Sequence, residues 1–141
     1  MQKLDLVIHG RVPIEFSEGE LSHIFKTTMQ VIKKQNGIFG LAFLNQLAMA
    51  KLNKQYHGGK GATDVLSIAY QDKKDKNLLE GDIMISPVFV KINAKSQNIP
   101  YKEELTRVLI HGILHIAGFT HYKDSDQKKM FSLQEKILSK I

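Results

Sequence analysis

The sequence predicts an α+β fold, a small sheet of about four strands with helices packed against it. Three observations predict it. The chain has 141 residues, 43% of them hydrophobic, which is enough for one core without help from disulfides or oligomerisation. Short apolar runs containing β-branched residues interleave with amphipathic stretches of helical spacing. Glycine- and proline-bearing breaks separate them, and no repeat, linker or low-complexity stretch intervenes. Residues 1–141 therefore read as a single domain, and the order of its strands stays open.

Leu4 to Ile8 reads as the first strand, closed by His9-Gly10 and Pro13. Ser17 with Glu20 is a capping-box signal. It opens a helix striped by Leu21, Ile24, Phe25, Thr28, Val31 and Ile32 and expected to end near Asn36-Gly37. Ile38 to Leu44 is a compact apolar run, a buried strand, after which Asn45 caps a segment carrying Leu47, Ala48, Leu52 and Tyr56. The glycine-rich break at His57-Gly58-Gly59-Lys60-Gly61 precedes a strand over Asp64 to Tyr70. The apolar-free run from Asp72 to Asn77 is a solvated hairpin tip, and Leu78 to Ile85 is the partner strand. Ser86-Pro87 opens a helix running to about Asn98. Another follows Pro100, with Glu103 and Glu104 at its positive end and apolar residues around much of its circumference, so it is expected to be central and buried. Asp124 to about Ser139 is a last amphipathic helix presenting Met130, Leu133, Ile137 and Leu138.

Composition removes several chemistries. With no cysteine there is no thiol nucleophile, iron–sulfur cluster or thiolate zinc site, and a reducing compartment such as the cytoplasm is expected. No apolar run is long enough for a signal peptide or a membrane span. Twenty basic residues against 14 acidic ones give a net charge of +6, which favours a polyanionic partner such as nucleic acid. Only Arg11 and Arg107 are arginines. The excess is lysine, suited to phosphate and poor at bidentate reading of base edges.

The informative motif is HGILHIAGFTH, residues 111–121. Four helical residues turn the chain by about 400° and raise it roughly 6 Å, so His111 and His115 share a face at a spacing that suits one metal ion. Gly118 is able to end the helix and turn the chain back, bringing His121 in as a third ligand. Three histidines plus water form an open, catalytic type of zinc site. A bare pair of this spacing also describes two partly buried, hydrogen-bonded histidines, but Gly118 and His121 at these offsets favour the metal. His9 and His23 have no such partners and are given no role. The spacing is shared with metzincin peptidases, whose general base is a glutamate beside the first histidine. Here that position is Gly112, which argues against peptide hydrolysis.

These residues resemble the YbeY family of bacterial rRNA maturation factors, metal-dependent endoribonucleases. HGILHIAGFTH is similar to the family's HGxLHLxGYDH, and Thr63-Asp64-Val65-Leu66-Ser67 to its TDVLSF or TNVLSF. Gly81-Asp82-Ile83 matches its GDI, and Met130 with Glu135 matches its closing helix. The resemblance implies a small mixed sheet with helices on it and the metal site at the end of the central helix. It also implies one zinc ion (Zn2+), or another divalent metal, on His111, His115 and His121. The implied partners are single-stranded RNA, chiefly the 3′ end of small-subunit ribosomal RNA, and the small ribosomal subunit. A cytoplasmic monomer is expected.

By the same resemblance Asp64 and Thr63 shape the catalytic cleft, and His57 stands where the family has a phosphate-binding arginine. Histidine titrates near neutrality and holds phosphate less firmly. Two other departures are Ala62 for a proline and Thr120 for an aspartate beside the last ligand. Lys33, Lys34, Lys51, Lys54 and Lys60 are candidates for backbone attraction. Asp64 and Asp82, the latter in the GDI motif, each sit at the end of a proposed strand and read either as a turn or cap carboxylate or as a catalytic one, Asp64 being the better choice of the two. Two other readings stand beside the ribonuclease: a zinc metallopeptidase, and a non-catalytic ribosome-associated RNA-binding protein.

Overall fold

The computed structural model describes residues 2–57, 63–70, 75–119 and 123–141, the side chains of Tyr56 and His57 excepted. The elements run β1 (Lys3–His9), α1 (Glu18–Val31), β2 (Asn36–Phe43), α2 (Gln46–His57), β3 (Val65–Ala69), β4 (Leu79–Ile85), α3 (Pro87–Gln97), α4 (Tyr101–Ile116) and α5 (Asp124–Ser139). The fold is α+β, as expected. The four strands lie in the order β1-β2-β4-β3, with β1 and β4 both parallel to β2 and β3 antiparallel to β4.

Local chemistry starts and stops the helices. Ser17 Oγ accepts from the Glu20 N–H at 3.0 Å, and Glu20 Oε1 accepts from the Ser17 N–H at 3.0 Å, so the capping box forms. Asn45 Oδ1 caps α2 by accepting from the Ala48 N–H at 2.8 Å. Ser86 caps α3, whose first residue is proline. The first helix ends earlier than its apolar stripe suggests. Lys33 adopts φ 59°, and the Lys34 N–H donates to Met29 O at 2.9 Å, closing the helix in the manner usually supplied by glycine. Asn36 and Gly37, expected in the turn, instead begin β2, because Lys3 and Leu4 of β1 pair with them.

Alternate residues of β4 enter different layers, as the strand period requires. Ile83 and Ile85 join the main core with Phe25, Phe39 and the apolar face of α4. Met84 joins a smaller cluster with Met49 of α2 and Leu66. Helix α4 is the central one: Leu105, Leu109, Ile110, Ile113 and Leu114 are all fully buried. Its Gly112 lies against the sheet, where a Cβ would stand 3.0 Å from Ile83 Cγ2 and 3.1 Å from Ser67 Oγ. That close approach brings the histidine-bearing end of α4 onto β3. Of the expected hairpin tip, residues 72–74 lie outside the described residues, and Asp75 to Asn77 are exposed. No helix among the described residues is long and apolar enough to cross a membrane.

Candidate functional site

The last two turns of α4 carry His111 and His115, whose ring centroids lie 4.7 Å apart in an edge-to-face arrangement. Both are half-buried while the residues between them are buried. The amphipathic pattern thus keeps their imidazoles at the surface of the core. The helix stops as its sequence indicates. Gly118 takes φ 102°; its N–H donates to His115 O at 3.0 Å, and the Phe119 N–H donates to Leu114 O at 3.0 Å.

The pair opens on a cleft of about 450 Å³ that is also lined by Thr63 and Asp64 at the start of β3, Ser67 and Asn53 of α2. The structure therefore brings together His111, His115, Thr63 and Asp64 of the residues singled out from sequence. Thr63 Oγ1 lies 3.4 Å from Asp64 Oδ1, and the Asp64 carbonyl accepts from the Ser86 N–H at 2.9 Å, pinning the backbone of this corner to the start of α3. His57 closes α2 one turn beyond Asn53; its side chain, together with Lys60, Ala62, Thr120 and His121, lies outside the described residues. Among the described residues no three histidine or carboxylate groups gather into a metal cluster. Lys51 and Lys54 stand exposed on α2, the helix that gives Asn53 to the cleft, whereas exposed Lys33 and Lys34 follow α1.

Behind the cleft runs a polar chain that sequence reasoning did not find. His111 Nδ1 lies 2.9 Å from Gln134 Oε1, and Gln134 Nε2 lies 3.4 Å from Glu135 Oε2. Arg107 grips Glu135 with Nε at 2.9 Å and Nη2 at 3.1 Å, and holds Glu104 with Nη1 at 2.6 Å. Hydrogen bonding from Arg107 keeps the Glu135 carboxyl below the usual carboxylate range despite some burial. The pairing with Glu135 likewise raises the guanidinium's affinity for its proton. A visible signal for Arg107 is its place one helical turn before His111, in a chain with only two arginines.

Asp82 is not part of this cleft. It lies on the other side of the sheet, in a hollow with His9 and Gly40, and accepts a hydrogen bond from the Tyr70 hydroxyl. That bond, with burial and the neighbouring carboxylates, pushes the phenol up to about 12.

A family model described as Endoribonuclease YbeY matches residues 9–141. A protein called endoribonuclease YbeY from Thermodesulfovibrio yellowstonii is 39% identical over 106 residues, spanning 74% of this chain and 67% of the relative. Another of that name, from Persephonella marina, is 31% identical over 142 residues, 94% of this chain and 93% of the relative. The solution structure of TM1509 from Thermotoga maritima matches with a TM-score of 0.64 and 27% identity, covering 95% of this chain and 87% of that one.

Proposed function

Since the chain belongs to the endoribonuclease YbeY family, we propose that it is a metal-dependent endoribonuclease that cuts single-stranded RNA in ribosomal RNA maturation. Its proposed substrate is the 3′ end of small-subunit rRNA, met on the small ribosomal subunit by a cytoplasmic monomer. The observation that carries this reading is the convergence of His111 and His115 with Asp64 on one cleft.

The donors suit zinc or a similar divalent ion: two imidazoles one helical turn apart, one of them hydrogen-bonded through Nδ1 to Gln134. His121 is the proposed third ligand. When bound, the ion supplies Lewis acidity, drawing charge from a phosphoryl oxygen and lowering the pKa of water. As a carboxylate, Asp64 accepts hydrogen bonds only, so it holds the attacking hydroxyl, from water or a ribose 2′ position, and takes its proton. Thr63 orients that carboxylate. Asn53 presents an amide to the phosphate, and Lys51 and Lys54 supply attraction for the backbone. Position 112 packs against the sheet and bears no carboxylate, so the base that peptide hydrolysis needs is missing from the place where metzincins carry it.

Metal-loaded protein incubated with labelled single-stranded RNA, with duplex RNA and with casein tests this reading. Cleavage of the single strand alone is expected. Casein cleavage would favour a peptidase, and RNA binding without cleavage a non-catalytic protein; either result would overturn the proposal.

A further inference from the structure

The geometry points to Gln134 as a positioning residue that selects the tautomer of His111, with its own amide aimed by the Arg107–Glu135 ion pair. This rests on the reading of His111 as a metal ligand, which requires a lone pair on the ring nitrogen that faces the ion.

A side-chain amide presents either an oxygen or an NH2 group to a neighbour, and the two ends are nearly equal in size. Gln134 is only 6% exposed, so its protein neighbours decide which end goes where. Glu135 Oε2 stands 3.4 Å from Gln134 Nε2, and a carboxylate can only accept, so the NH2 end turns to it. The two-pronged grip of Arg107 keeps Glu135 in that acceptor-only form and in that place. Oε1 is then the end that meets His111 Nδ1 at 2.9 Å. A carbonyl oxygen cannot donate, so Nδ1 carries the hydrogen, and in a neutral ring Nε2 carries the lone pair. Arg107 belongs to α4, as does His111, while Gln134 and Glu135 belong to α5. The relay leaves the central helix, turns on the last one and returns, so the docking of α5 sets the chemistry of a ligand on α4.

Nitrogen-15 NMR of the metal-free protein, above the range in which histidines titrate, reads the tautomer before any metal or RNA is added. Wild type should show His111 in the Nδ1–H form. Glu135→Ala releases the amide to turn and should give mixed tautomers, with zinc affinity lower by about 10- to 100-fold. Adding Gln134→Glu to that variant places beside Nδ1 an acceptor that needs no aiming, so the single tautomer and the affinity should return. A role for Glu135 confined to holding α5 would not be rescued this way. Should Glu135→Ala fail to fold, Gln134→Leu must give the same mixture with the ion pair intact. An unchanged tautomer in the folded single variants, or no rescue in the double variant, overturns the proposal. A wild type with the Nδ1–H tautomer and its loss in the variants, but no zinc binding, would support the relay and sink the ligand reading instead.

Discussion

The His111 and His115 rings meet edge to face, their planes inclined at 69°. One helical turn separates them, and this approach places two nitrogen donors at one mouth of the cleft that Asp64 enters from the sheet. On the proposed metal reading each ring would bind through a nitrogen lone pair, so metal and protons would compete for the pair.

Asp64→Asn should separate chemistry from architecture. The Asp64 backbone carbonyl makes the bond to the Ser86 N–H, and the substitution leaves that bond in place. Folding and metal content should therefore persist while RNA cleavage falls by about a hundredfold or more, the usual loss on removing a general base. Circular dichroism, metal analysis and a cleavage assay check this together. Undiminished cleavage would remove the carboxylate from the reaction.

Gly112→Ala adds a methyl group 3.0 Å from Ile83 Cγ2, and Ile83 is fully buried. Overpacking costs about 1–3 kcal/mol, against a gain of roughly 1 kcal/mol in helix propensity. A net loss of up to about 2 kcal/mol is expected in urea unfolding. A stabilised variant would show that α4 has room to lift from the sheet.

Acid should weaken the α4–α5 contact. The Glu135 carboxyl sits below its ordinary value of 4.5, chiefly through hydrogen bonding from Arg107. A carboxyl depressed by folding contributes stability that is present above its unfolded value and lost as pH falls through the folded one. Urea unfolding of the metal-free protein should show this decline below about pH 4.5. Glu135→Gln should lower the plateau above that pH and flatten the decline beneath it. Parallel curves for the two proteins would show that this pair does not set the acid limb.

RNA binding carried by lysine and phosphate should weaken steeply with salt and vary little with sequence. Lys51→Ala with Lys54→Ala, both exposed on α2, should reduce the slope of log affinity against log salt by up to about 1.4, since each phosphate contact on a single strand contributes about 0.7. A slope unchanged by the pair would move the RNA path away from α2.

Local signals in the sequence were good guides where the structure itself is local. The Ser17 and Glu20 box and the Gly118 stop depend on a few adjacent residues and are legible from the sequence alone. Lys33 escaped because a lysine at positive φ carries no compositional mark. Asn36-Gly37 looked like a turn because its parallel partner on β1 lies 33 residues away. Among the site residues, Asp64 and Asp82 carried similar motif evidence, and only the sheet topology sends one to the histidine cleft and the other to the far face. Gln134 is 23 residues from His111 in sequence, and no periodicity in α5 indicates which helix its amide will meet.

The most direct test of the account is the metal content of purified protein, compared between wild type and His115→Ala. Alanine suits a helix, and His115 is half-buried at the cleft rather than in the core, so the variant should fold. Near-equimolar zinc in the wild type and a sharp drop in the variant is the predicted result. Equal, full occupancy in both would contradict the assignment of the histidine pair as the metal site.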